Sequence, residues 1–241
     1  MAVAERGGNL FQEELWRFSK DQYYRLDEMG WFLNTRVELI EGVIIEKYPD
    51  TVTGEPRPLP WTVVQYHQMA LMGWFDEQRV ELIDGDILVM PPIGTRHMTA
   101  VMLATQALEN VFGARNAISV QNAFRVGVRA EPQPDVAILP GSIRDYVSQM
   151  PTEALLIVEV SDTTLAYDRT WKLSLYAQAY IQDYWIINLD QQQVEVYRRP
   201  QLRPGSAPAF SYTESTTYKA GEFIVPLAAP TASIAVADLL P

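Results

Sequence analysis

The sequence predicts an α/β (α+β) protein in which helices pack on a mixed central β-sheet. Two observations support this class: short apolar runs of strand type alternate with helical patterns, and two of these strands each carry one carboxylate. Asp135 opens the run Asp135–Leu139, and Glu159 lies within Leu155–Val160. A strand covered on both faces is almost entirely apolar, so a charged residue inside one indicates a role beyond packing.

Composition limits the class of protein further. The 241 residues include 48% hydrophobic and 20% charged side chains, which is typical of a soluble globular protein with one sizeable core. The absence of cysteine excludes disulfides, zinc–thiolate sites and cysteine nucleophiles. Residues 1–10 lack the apolar core of a signal peptide, and no apolar run approaches the length of a membrane span. We therefore expect a cytoplasmic protein with no membrane partner.

The charge distribution bears on nucleic-acid partners. A net charge of -11 argues against a broad nucleic-acid-binding surface. Residues 1–92 hold 8 basic and 16 acidic side chains, whereas residues 93–241 hold 11 and 14. A contact with phosphate is therefore expected to be local and to lie in the later part of the chain.

The first part of the chain contains an internal repeat. Residues 18–49 (the first copy) and 61–92 (the second copy) match without a gap at an offset of 43 residues; Met29-Gly30-Trp31-Phe32, for example, recurs as Met72-Gly73-Trp74-Phe75. A match of this length indicates a partial duplication. Two copies are too few for a solenoid.

Each copy is predicted to be a short helix followed by a β-hairpin. The hairpin turns are Glu41-Gly42 and Asp84-Gly85, because glycine accepts the positive φ that two-residue turns require. We expect one copy in the main fold and one outside it, joined by the linker at residues 50–60. The predicted domains are therefore residues 1–58 and residues 59–241.

The remaining elements follow from apolar periodicity and turn residues. We expect helices over Thr95–Phe112 and from Asp168 to about Tyr180. The predicted strands and loop come in this order: a strand pair within residues 118–128, then strands at residues 135–139, 155–160, 184–187 and 194–197, a loop at Pro200–Ser215, and one or two edge strands.

The second predicted helix adds a lysine to the two strand carboxylates. Lys172 and Tyr176 follow Asp168 at four-residue steps and so share one helix face. Two carboxylates and a lysine can hold a hard divalent cation and steady a phosphate charge. The plainer alternatives stay open at this point: Asp135 as a turn residue after proline, Lys172 with Glu159 as an ordinary ion pair, and Lys172 with Asp168 as a pair on the helix surface.

These residues carry a resemblance to a known family. The run Val158–Thr164, with Asp168, Lys172, Tyr176 and Tyr184-Trp185, resembles the Uma-type family of restriction endonuclease-like proteins, which is placed in the PD-(D/E)XK nuclease superfamily. The same holds for Glu81–Gly85, His97 and Gln133-Pro134-Asp135. The resemblance covers about residues 61–241 and implies a restriction-endonuclease-like fold.

The resemblance also implies roles for individual residues. Asp135 and Glu159 would bind Mg²⁺, with Mn²⁺ as the alternative. The signature lysine is absent two residues after Glu159, where Ser161 stands. Lys172 would take its place and orient the attacking water or balance phosphate charge. The further residues implied are Glu81 as an additional catalytic acid, and Ser161, His97, Asp168 and Tyr176 as residues lining the site.

The implied reaction is metal-dependent hydrolysis of nucleic-acid phosphodiester bonds, with DNA as the expected substrate. The alternative is a catalytically silent nuclease fold that serves as a binding or assembly module. A homodimer formed through the first copy is a third hypothesis. A glycosidase carboxylate pair would leave Lys172 without a role.

Overall fold

The computed structural model describes residues 15–47 and 56–241, which belong to two compact units. The first unit comprises Met1–Pro91 and Val128–Ala130, and the second comprises Pro92–Gly127 and Glu131–Pro241. The N-terminal residues and most of the predicted linker lie outside the described residues. The boundary predicted between residues 58 and 59 falls inside the first unit, and that division into domains stays a prediction. No helix in the described ranges is long and apolar enough to cross a membrane.

A six-stranded mixed sheet forms the centre of the second unit. Its strands are β6 (Ala117–Val120), β7 (Val136–Leu139), β8 (Leu156–Ser161), β9 (Asp183–Asn188), β10 (Gln193–Leu202) and β11 (Phe210–Lys219). The order in the sheet is β11-β10-β9-β8-β7-β6, and only the β8–β9 pair is parallel. β7, β8 and β9 are buried along their whole length, which explains why they read as apolar runs. The predicted mixed α/β class is confirmed.

Two helices of the second unit frame the sheet. α3 (Thr95–Phe112) has the bounds that the sequence predicts, and its buried face, from Ala100 to Phe112, joins the core with β7, β8 and β9. α4 has three consecutive parts: Leu165–Tyr167, a π-helical segment Asp168–Lys172, and Leu173–Gln178. Single π turns inside α-helices are frequent at functional sites. The second unit ends with the short strands β12 (Phe223–Ile224) and β13 (Ile234–Ala235) and a 3₁₀ turn, Val236–Leu239.

Two local predictions in this unit are wrong. The loop expected at Pro200–Ser215 belongs largely to a long hairpin, in which Pro200 of β10 pairs with Tyr212 of β11. The Tyr212 ring stacks on Tyr184 at 6.0 Å, and this tertiary contact outweighs the local turn signals of the proline- and glycine-containing stretch. Within residues 118–128 only the end of β6 is a strand; the rest is irregular, with a bend at Gln121, one bridge residue at Val126 and the start of a turn.

The first unit contains two helix–hairpin segments at the positions of the predicted copies. α1 (Lys20–Glu28), β1 (Val37–Ile40) and β2 (Val43–Glu46) correspond to α2 (Val63–Leu71), β4 (Val80–Ile83) and β5 (Asp86–Val89). Each helix begins with a capping box, Ser19 with Gln22 and Thr62 with Gln65. The interpretation of the pair as a duplication stays a prediction.

The hairpin turns also correspond. Glu41 and Asp84 both have a φ of 49°, and the following Gly42 and Gly85 have 81° and 91°. Two successive positive φ angles define the type I′ turn, which glycine favours at its second position.

One apolar cluster includes buried residues of both copies, among them Leu26, Phe32, Met69 and Phe75. A short strand β3 (Arg57–Pro58) pairs with β2. Residues 128–130 complete the unit: Val128 and Arg129 accept hydrogen bonds from the N–H groups of Val63 and Gly85, at 2.9 and 2.7 Å.

Candidate active site

Strand register brings the two predicted carboxylates together. β7 and β8 are antiparallel with Val136 opposite Val158, so that Asp135, directly before β7, stands opposite Glu159. Side chains of opposite residues in an antiparallel pair lie on the same face of the sheet. Both carboxylates are buried, with 6% of Asp135 and 2% of Glu159 exposed. Burying two acidic side chains side by side costs free energy unless neighbouring groups pair with them or donate hydrogen bonds to them. The chemistry of the site therefore depends on those neighbouring groups.

Asp135 accepts hydrogen bonds from three directions. Its Oδ1 lies 3.0 Å from Nε2 of His97 and accepts from the side-chain amide of Gln121 at 3.1 Å. Its Oδ2 accepts from the backbone N–H of Val160 at 2.8 Å. Burial raises the pKa of Asp135, but the hydrogen bond of His97, the charges of His97 and Lys172, and the Val160 N–H together lower it below its usual range. Asp135 is therefore held ionised.

Glu159 is held by two side chains of α4. Its Oε1 lies 3.0 Å from Nζ of Lys172 and accepts a hydrogen bond from the Tyr176 hydroxyl at 2.6 Å. Lys172 is only 3% exposed, and its ammonium stands 5.6 Å from the centre of the Tyr167 ring. The helix therefore returns Lys172 to the strand carboxylates, as predicted. The ion pair between Lys172 and Glu159 is present, so the plain ion-pair alternative also stays open.

Asp168 forms a third buried carboxylate on the π-helical segment of α4. Its Oδ2 accepts hydrogen bonds from the Ser161 hydroxyl at 2.5 Å and from the Thr164 hydroxyl at 2.7 Å. Burial raises the pKa of Asp168 to about 6, although Lys172 and the two hydroxyls lower it, and the charge of Asp135 adds to the increase. Asp168 and Lys172 are both buried, which excludes the alternative of a surface pair.

The cluster holds more negative than positive charge. Asp135, Glu159 and Asp168 face one lysine, with His97 at the edge, where 17% of its side chain is exposed. An uncompensated carboxylate in a buried site favours binding of a cation or proton. Such perturbed titratable groups cluster at functional sites.

The donor set is chemically suited to a hard divalent cation. Asp135 and Glu159 offer carboxylate oxygens, which Mg²⁺ prefers, and Mg²⁺ sites in proteins often use only one or two carboxylates together with water and substrate phosphates. Among the side chains that the structure describes, no group of three or more histidine or acidic residues is arranged to hold a metal by itself. The remaining ligands would therefore come from solvent or substrate.

One predicted catalytic residue belongs to the other unit. Glu81 lies on β4 of the first unit, where it pairs with Leu88 and is 1% exposed. Its catalytic role stays a prediction.

Sequence reasoning missed Gln121. This residue directly follows β6, in which Val120 pairs with Val136, and its φ of 52° marks a sharp bend in the chain. Only the strand pairing places its amide next to Asp135, and no spacing in the sequence reveals that.

The fold and this site define a nuclease-like α/β protein. A solved structure titled "Crystal structure of a putative nuclease belonging to DUF820 from Anabaena variabilis ATCC 29413" is similar with a TM-score of 0.52. The two sequences are 18% identical, and the match covers 68% of this chain and 90% of the other. At that identity the similarity shows a shared fold.

The family follows from the sequence. Residues 63–237 match the Uma2 family, described as "Putative restriction endonuclease", and the chain belongs to this family. The matched range includes the site residues from Glu81 to Tyr176. No functionally curated protein is significantly similar to the chain. Family and fold together support a nuclease.

Proposed function

We propose that the protein is a Mg²⁺-dependent endonuclease that hydrolyses phosphodiester bonds of DNA. The observation that carries the proposal is that Asp135, directly before β7, Glu159 on β8 and Lys172 on α4 are buried close together. Metal-dependent hydrolysis of a phosphodiester uses a hard cation, and a positive group can stabilise the developing phosphate charge.

Each residue of the cluster has a part in this chemistry. Asp135 and Glu159 would hold Mg²⁺, which when bound acts as a Lewis acid toward the phosphate and favours a nucleophilic water. Lys172 would stabilise the negative charge that grows on the phosphate oxygens. His97 and Gln121 fix the orientation of the Asp135 carboxylate, and Tyr176 fixes that of Glu159. These contacts pre-organise the oxygen ligands before a substrate arrives.

A second function is favoured by two observations. The net charge of -11 opposes approach to DNA, and Glu159 is already matched by Lys172 and Tyr176. A catalytically silent binding module would use the cluster as a structural ion pair and would need neither metal nor phosphate.

Metal binding and DNA cleavage together test the proposal. Calorimetric titration with Mg²⁺ and Mn²⁺ would compare the wild type with Asp135→Asn and Glu159→Gln, and cleavage of supercoiled plasmid would be followed with Mg²⁺ or with a chelator. We expect cleavage only with metal, reduced by about 10²–10³-fold in either variant. Glu214→Gln is the matched control, because Glu214 is an exposed carboxylate in an ion pair with Arg199.

The outcomes separate the two functions. Metal-dependent cleavage that is lost in both site variants and kept in Glu214→Gln supports the nuclease. Neither cleavage nor metal binding, measured also in the presence of DNA, would refute it and favour the binding module. Cleavage of RNA alone would correct the substrate while keeping the site.

A further inference from the structure

The two copies of the first unit exchange backbone contacts in a reciprocal way. Leu15, just before the first copy, forms an antiparallel bridge with Leu88 in the hairpin of the second copy. The equivalent of Leu15 before the second copy is Pro58, and the equivalent of Leu88 in the first copy is Ile45. These two residues also pair, in the hairpin of the first copy. The segment that leads into each copy therefore extends the hairpin of the other copy.

Hydrogen bonds and aromatic contacts repeat the same exchange. The N–H of Trp16 donates to Ile87 O, and the N–H of Leu59 donates to Ile44 O, both at 2.8 Å. Among the rings, Phe18 lies 6.3 Å from Trp74, and the corresponding pair, Trp61 and Trp31, lies at 6.1 Å. These backbone and ring contacts from the first copy to the second each have a counterpart from the second copy to the first.

One contact lies at the centre of this arrangement. Phe18 and Trp61 occupy the same position in the two copies, and their rings meet at 5.3 Å. Contact between equivalent positions, surrounded by exchanged pairs, is the pattern of an isologous two-fold interface. In a homodimer such an interface forms between two chains, whereas here both halves belong to one chain.

We propose that the second copy carries a two-fold pairing surface whose partner is a like helix–hairpin unit, and that the first copy fills that surface from within the chain. The surface consists of Trp61, Trp74 and the β5 edge at Ile87 and Leu88. Two features specify the partner: the aromatic ring of Phe18, and the backbone of Leu15 and Trp16, which pairs with the edge of β5. The same surface would accept the first copy of another chain if the internal partner were kept away.

The connection between the copies offers a way to redirect the pairing. Glu46 of β2 pairs with Arg57 of β3, and ten residues, 47–56, close that hairpin. Tight β-hairpins need at least two loop residues. Deletion of residues 48–56 would leave one, so that β2 would run on into β3, and the first copy could reach its place only on another chain. Shortened hinge loops of this kind lead to domain swapping.

A cysteine pair reports which chain supplies the partner. Leu15→Cys with Leu88→Cys would introduce the only thiols of a chain that has no cysteine. Residues that face each other in an antiparallel bridge are close enough for a disulfide. After oxidation of the full-length protein, a non-reducing gel should show a disulfide within one chain. A disulfide between chains would overturn the internal pairing.

The deletion tests whether the surface accepts a like unit from outside. With residues 48–56 removed, we expect a folded dimer in which the same cysteine pair links two chains and gives a band of twice the mass. The matched control replaces residues 48–56 by nine glycine and serine residues and should keep the disulfide within one chain. A deletion variant that is a monomer, or is unfolded by circular dichroism, would overturn the proposal.

Discussion

Two buried carboxylate clusters of the second unit differ in their charge balance. In the candidate site, three carboxylates share Lys172 and the half-buried His97. Away from that cluster, Glu195 receives a bidentate pair of hydrogen bonds from Arg169 at 2.8 and 2.6 Å, with Asn188 and Tyr197 as further donors. Burial raises the pKa of Glu195, but these bonds outweigh it and lower the pKa to about 2.

The two sites differ in how far neighbouring donors compensate the buried negative charge. Glu195 has enough donors to be stable as an anion, whereas the pKa of Asp168 is raised to about 6 because burial outweighs its neighbours. The site around Asp168 is therefore the better candidate for binding a cation and a phosphate.

The largest expected effect is the loss of stability when Lys172 is replaced. Lys172→Met leaves Glu159 buried without its cation, and we expect the free energy of unfolding to fall by about 3–5 kcal/mol. Urea denaturation measures this change. The double variant Lys172→Met, Glu159→Leu should recover most of the loss, because an apolar pair replaces the whole ion pair. A loss below about 1 kcal/mol in the single variant would show that Lys172 does not compensate a buried charge.

The second effect concerns Asp168 and pH. Because its folded pKa is raised from 3.8 to about 6, its contribution to stability is complete below pH 3.8 and is lost as pH rises through 6. In a chelating buffer, Asp168→Asn should therefore be more stable than the wild type by up to about 3 kcal/mol above pH 7. The difference should vanish near pH 4. A constant difference between pH 4 and 8, measured by thermal or urea unfolding, would contradict the raised pKa.

The third effect concerns Glu195, whose pKa is shifted in the opposite direction from that of Asp168. The lowered pKa of Glu195 gives stability that is present above pH 4.5 and is lost as pH falls toward 2. We expect Glu195→Gln to lose about 2 kcal/mol at pH 7, a value reduced for the partial exposure of Arg169. Plasmid cleavage should be unchanged. Glu214→Gln, in an exposed pair, should change stability by less than about 0.5 kcal/mol and serves as the control.

Local sequence patterns predicted the main residues of the candidate site better than they predicted contacts that depend on strand pairing. The apolar runs predicted Asp135 and Glu159 on strands: Glu159 lies on β8, and Asp135 lies directly before β7. The four-residue steps predicted Lys172 and Tyr176 on one helix face, and both contact Glu159. The amide of Gln121 reaches Asp135 only through strand pairing, which no local spacing encodes. Local patterns also failed to predict the β10–β11 hairpin, because Tyr212 packs there against tyrosine rings that are distant in the sequence.

The ten-residue connection between Glu46 and Arg57 affects how the association of the two copies depends on protein concentration. A short tether keeps one copy near the other at an effective concentration of the order of millimolar, far above ordinary protein levels. Their association therefore does not weaken on dilution, and the two halves are free to differ. Glu38 is half-exposed beside Lys47, while its counterpart Glu81 is buried and Met90 replaces the lysine. Two identical chains could not hold different residues at these positions, because every change would appear in both.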